Sequence, residues 1–135
     1  MFATIKATSK TMKIVQDKFP DIHGENNVAN AFRHALWNLL ILFECLKKEN
    51  NIDSIVSWTK EITDWHEDFS PNKALARAMD LHNNLIGREL FLSSIGNPEH
   101  EVIKQLEKKI DIAVCVNSYE EIEEHLSALV YLKSN

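Results

Sequence analysis

Turn-forming residues are scarce in this chain: three glycines and three prolines stand among 135 residues. An all-β fold needs many tight reversals, which these residue types supply, so the shortage favours helices. Cysteine is scarce too. Cys45 and Cys115 lie in mostly apolar helical settings, cannot make a disulfide framework, and read as reduced, buried thiols. Long apolar runs are missing; the longest, Leu39 to Phe43, is far too short to span a bilayer. Met1 to Val15 is broken by threonine, lysine and serine and does not read as a signal peptide. A cytoplasmic location is therefore expected, with export by a signal-less route left open.

Positive charge is also short. The formal net charge is −5, and Lys47-Lys48 and Lys108-Lys109 are isolated pairs that read as solvated helix faces. Aromatic residues are not interleaved with basic ones, so neither nucleic acid nor a membrane is expected as a partner. There is no glycine-rich phosphate loop, CxxC pair or GxSxG elbow, which speaks against the usual serine hydrolases. The HExxH zinc spacing fails because Ser70 stands where the second histidine belongs.

What is present suits a soluble globular protein: 44% apolar and 26% charged residues. The length fits one domain over residues 1–135 with a single core. The expected fold class is all-α, a compact array of about six helices. The first runs from Phe2 to Lys18, ending before Pro20, and Asp21 to Asn26 is a loop containing Gly24. Asn26 or Asn27 caps a second helix to about Glu49, and a third spans Ile52 to about Glu67. Asn72 or Pro71 opens the fourth, from Lys73 to about Leu92, and Pro98 at the first helical position starts a fifth, Glu99 to about Cys115. Ser118 and Glu121 form a capping box for a sixth, Tyr119 to about Leu129. The tail Leu129 to Leu132 is either helical or one extended segment.

Three segments carry polar residues that helices do not choose for their own stability. In the first, His34 and Asn38 are four apart and share a face, which Asn27 and Asn30 extend, along the margin of a broad apolar stripe. His34 suits a general base or metal ligand, with Asn38 orienting it; Arg33 points elsewhere, and Trp37 contacts another helix or closes a pocket. In the second, Asp64 and Glu67 share a helical face while His66 points roughly the other way, so joint use of all three needs the helix to unwind. In the third, Asp80, Asn84 and Arg88 form an i, i+4, i+8 ladder, with Asn83 and Gly87 alongside and His82 on another face. Asp80 can serve as acid, base or hard-metal ligand, Asn84 can bridge it to Arg88, and Arg88 can hold a carboxylate or phosphate. Gly87 allows another backbone or a ligand to approach closely.

Two readings follow. In one, His34, His66, Glu67 and Asp80 are catalytic or metal-ligating in a hydrolase-like or ligand-binding cleft, with Arg33, Asn38, Asp64, Asn83, Asn84 and Arg88 binding ligand or supporting the site. In the other, the same residues form a buried network of hydrogen bonds and ion pairs in a structural or partner-binding domain. A divalent metal is compatible with the donors. The sequence names neither the metal, nor a substrate, nor a protein partner.

Together the segments resemble an uncharacterised bacterial helical domain family whose members carry Ala-Phe-Arg-His-Ala-x-Trp-Asn, then Asp-x-His-Glu, then Met-Asp-Leu-x-Asn-Asn-x-x-Gly-Arg. The matches are Ala31 to Asn38, Asp64 to Glu67 and Met79 to Arg88, so the resemblance covers about residues 26–92. The resemblance implies a domain of unknown function that occurs alone and as an end domain of larger secreted or toxin-like proteins. His82 falls at a variable motif position.

Overall fold

A computed structural model describes residues 2–20, 27–69 and 73–132. Six helices and two short strands follow one another: α1 (Phe2–Lys18), α2 (Val28–Leu46), α3 (Ile52–Asp68), α4 (Ala74–Ser93), α5 (Glu99–Lys108), β1 (Val114–Val116), α6 (Tyr119–Glu124) and β2 (Val130–Leu132). The fold is all-α in class, as the composition implied. The expected loop at 21–26 and the start signal at 71–72 lie outside the described residues.

Local chemistry fixes the helix starts. The Asn27 side chain accepts from Asn30 N at 2.9 Å, and the Asn51 side chain accepts from Ser54 N at 3.0 Å, so each satisfies a first-turn amide. Ser118 Oγ accepts from Glu121 N, while Glu121 Oε2 reaches back to Asn117 N. Pro98 occupies the N-cap of α5, one position before the first helical turn.

Helix α2 is the centre of the molecule, packed by α1, α3, α4 and α5. Leu40 and Ile41 are therefore buried along with Ala31, Phe32, Ala35, Leu36, Leu39 and Leu42 of the apolar stripe, whose other members Val28, Phe43 and Leu46 are half-buried. The closest approach is between α2 and α4: a Cβ on Gly87 would lie 2.1 Å from Ala35 O. Backbone meets backbone there, and only glycine fits. Side-chain pairs give the directions. Asn30 meets Asp80 and Asn38 meets Arg88, so α2 and α4 run parallel; Thr63 meets Asn38 and Glu67 meets His34, so α3 runs antiparallel to both.

The C-terminal part departs from the expected pattern. Helix α5 stops at Lys108 and α6 at Glu124, both short of the boundaries that periodicity suggested. The residues released form a parallel pair, β1 with β2, in the register Val114↔Val130, Cys115↔Tyr131 and Val116↔Leu132, with α6 in the crossover. The β-branched residues Val114, Val116 and Val130 favour that pairing, and Met79, Val116, Ile122 and Val130 form a small second core. Asn83 holds this unit to α4 by donating from Nδ2 to Val130 O at 2.9 Å and accepting from Val130 N at 3.0 Å. His82 adds a 2.8 Å contact from Nε2 to Ala128 O. Cys45 and Cys115 are free and only partly buried. Among the described residues, no helix is long and apolar enough to cross a membrane.

Candidate functional site

Three helices each turn a ladder of polar side chains, spaced i, i+4, i+8, into the same interior. They are Asn30, His34 and Asn38 on α2; Thr59, Thr63 and Glu67 on α3; and Asp80, Asn84 and Arg88 on α4. All nine are at most 8% exposed. Side chains four apart stack on one helical face, so three such faces make a continuous polar layer between helices otherwise packed through apolar contacts.

At one end of the layer, Arg88 Nη1 donates to Asn38 Oδ1 at 2.9 Å and approaches Thr63 Oγ1 at 3.3 Å. Thr63 Oγ1 donates to Asn38 Oδ1 at 3.0 Å or to Thr59 O at 2.9 Å, and Asn38 Nδ2 donates to His34 O at 3.0 Å. Arg88 has no carboxylate within ion-pair distance among the described residues. Burial pushes its pKa down, with the more distant charge of Asp64 opposing. Neutral oxygens therefore carry this cation.

At the other end, His34 Nε2 lies 3.3 Å from Glu67 Oε1 and 3.6 Å from Asp80 Oδ1. The other ring nitrogen, Nδ1, is 3.0 Å from Asn30 O, and the Asn30 side chain donates to Asp80 Oδ1 at 3.1 Å. Arg33 in turn donates to Asn30 Oδ1. Burial is the largest influence on His34 and acts to lower its pKa, yet the adjoining Glu67 and Asp80 carboxylates outweigh it and the pKa rises. Burial would likewise raise Glu67, but His34 prevails and its pKa falls. For Asp80, burial wins with help from the Glu67 charge, and the carboxyl is pushed up to about 6. Glu67 Oε1 approaches the imidazole without hydrogen-bond geometry and has no hydrogen-bond partner among the described residues. Among the described residues both amide atoms of Asn84, one turn along from Asp80, also lack one, so the expected bridge from Asp80 to Arg88 is not made.

A cavity of about 400 Å³ between α1, α2 and the end of α3 reaches this cluster. It is lined by Thr8, Thr11, Met12, Arg33, His34, Trp37 and His66. Trp37 Nε1 donates to Thr8 Oγ1 at 3.0 Å, and its ring meets the His66 ring edge-to-face at 5.2 Å. Thr11 is 2% exposed, and its hydroxyl has no hydrogen-bond partner among the described residues. Of the clustered trio, His34 alone is on the cavity wall.

The sequence candidates thus separate. His34, Glu67 and Asp80 come together; Arg33 and His66 line the cavity; Asn38 and Arg88 form the far end of the layer, with Asn84 between. Asp64 stays out, paired with Lys60 on the outside of α3, because that helix remains regular through Asp68 and turns Glu67 inward instead. Asn83 binds β2. Sequence reasoning passed over Thr59, Thr63 and Thr11. The i, i+4 spacing of Thr59, Thr63 and Glu67 was the available signal for the first two, whereas nothing in the sequence marks Thr11.

The chain belongs to the family described as Domain of unknown function (DUF6973), whose model matches residues 1–114. No curated protein and no solved structure matches it.

Proposed function

We propose that this protein is a small hydrolase-like or ligand-binding domain whose working centre is His34, Glu67 and Asp80, reached through the cavity that Arg33, Trp37 and His66 line. The observation that supports it is the position of His34. Its ring forms part of the cavity wall while its Nε2 faces two buried carboxylates. A base, two acids and a nearby cation at a concave opening make a constellation suited to general acid–base chemistry. His34 acts as base or ligand, Glu67 and Asp80 as acid, base or ligands, and Arg33 meets an anionic group. His66 and Trp37 form an aromatic wall for the organic part of the ligand. The bacterial, toxin-like setting implied by the three motifs is compatible with a small hydrolytic domain.

The buried-network reading applies to a different part of the layer, where Asn38, Thr63 and Arg88 satisfy one another away from the cavity. There the polar residues specify packing.

A fragment screen read by NMR tests the cleft. The Trp37 indole N–H and the His34 ring C–H resonances should shift together with the same fragments, and a panel of chromogenic esters and phosphoesters should include substrates whose turnover His34→Gln abolishes. If fragments leave both resonances unmoved and no turnover depends on His34, the cleft reading fails.

A further inference from the structure

We infer that His34 Nε2, Glu67 and Asp80 form a binding site for a divalent first-row cation, Zn²⁺ or Mn²⁺. This deepens the reading of the same site, and rests on it only in placing the ion beside the cavity. One ligand atom from each residue can be chosen so that all three lie within 4.8 Å of one another. Ligands at about 2.0–2.2 Å from a common ion stand no more than about 4.4 Å apart, so side-chain adjustments of a few tenths of an ångström close the site. An imidazole nitrogen with two carboxylate oxygens suits a borderline cation better than a soft one such as Cu⁺.

Two further features point to a cation. The first is the support around the ligands. Asn30 O accepts from His34 Nδ1–H in the neutral tautomer, which turns the Nε2 lone pair toward the carboxylates, and the Asn30 amide donates to Asp80. One residue therefore orients two of the three ligands, as outer hydrogen bonds do in metal centres. In that tautomer the lone pair faces two carboxylates, an arrangement that a positive charge among the three atoms resolves. The second is Glu67 Oε1, an acceptor in a residue only 1% exposed, which lies 3.3 Å from Nε2 and has no hydrogen-bond partner among the described residues. Buried acceptors are almost always satisfied, and an ion between Glu67 and His34 satisfies this one. The ligand set carries two negative charges against the two positive charges of the ion. Three protein ligands leave a coordination position for water or a substrate oxygen, the arrangement of catalytic rather than structural zinc sites.

The test is calorimetric titration of chelator-treated protein with Zn²⁺ and, separately, Mn²⁺, with bound metal measured after dialysis and unfolding followed with and without the ion. One equivalent should bind at micromolar Kd or tighter and raise the midpoint by several degrees. Glu67→Gln and Asp80→Asn should each weaken binding at least 100-fold while keeping the far-ultraviolet circular dichroism of the parent. Binding should be unchanged in His100→Ala, which removes an exposed histidine, and in Cys45→Ser. No binding of either ion, or stoichiometric binding that survives both carboxylate substitutions, overturns the site. The fragment screen on metal-free protein is independent of this result. Fragments that shift Trp37 and His34 without any metal bound would leave the cleft standing and remove only the ion.

Discussion

The two ends of the polar layer differ although the same three helix faces build them within two turns of one another. At the Arg88 end the cation rests on Asn38 and Thr63, and the Thr59 hydroxyl is the group without a hydrogen-bond partner among the described residues. At the His34 end two carboxylates crowd one imidazole, an acceptor is left over, and a cavity reaches the ring. Burial alone therefore does not separate a structural network from the proposed working site; both ends are buried. The difference lies in the charges, an imidazole between two carboxylates against a guanidinium on neutral oxygens, and in the cavity that reaches His34.

The largest effect should come from breaking the Arg88 end. Asn38→Ala removes the acceptor beneath a buried guanidinium and leaves a cavity, and should cost about 3 kcal/mol or more, on the order of 10 °C in the unfolding midpoint. Next is Gly87→Ala, which drives a methyl into Ala35 O and forces α2 and α4 apart. A loss of about 2 kcal/mol is expected, and because this contact sets the helix separation for the whole layer, amide exchange should quicken at both ends.

The effect of pH should be smaller and confined to the open end. Asp80 has its pKa raised from 3.8 to about 6, so the fold holds its proton more tightly than the unfolded chain does, and stability from this group is lost as pH rises between those values. His34 is raised above 6.5, so its contribution is present below that value and lost as pH climbs through the higher folded value. Glu67 is lowered and acts in the opposite sense only below 4.5. Metal-free protein should therefore melt a few degrees higher at pH 5 than at pH 8. Asp80→Asn should flatten that slope, and Asn38→Ala should preserve it. Saturating Zn²⁺ or Mn²⁺ should reverse it, because the ligands must shed protons to bind.

Much of this layout was legible in the sequence. The ladders of α2 and α4 follow from i, i+4 spacing of residues that interrupt strong helices, and Gly87 announced a close approach. The α3 ladder was harder to see. Threonine inside a helix is unremarkable, and the choice between Asp64 and Glu67 as the inward acid depends on the helical phase at its last turn, which α2 and α4 set by packing. The Arg88 side chain was legible as a cation but not as one consumed by Asn38 and Thr63, since that partner lies across a helix interface. The extended alternative for the tail holds as β2, but β1 was missed because Val114 to Val116 continues the apolar rhythm of α5 closely enough to pass as helix, and the pairing of the two is long-range.

The smallest shift is also the most diagnostic. Asp80→Asn keeps the side-chain shape and removes one of two carboxylates crowded in the interior. The central claim, that the His34 end is kept for function while the Arg88 end is kept for packing, is tested by melting metal-free Asp80→Asn beside Asn38→Ala at pH 7.5. A midpoint for Asp80→Asn equal to or above the parent, against a drop of about 10 °C for Asn38→Ala, is the predicted result. Comparable losses in both would make the whole layer one structural network and contradict the account.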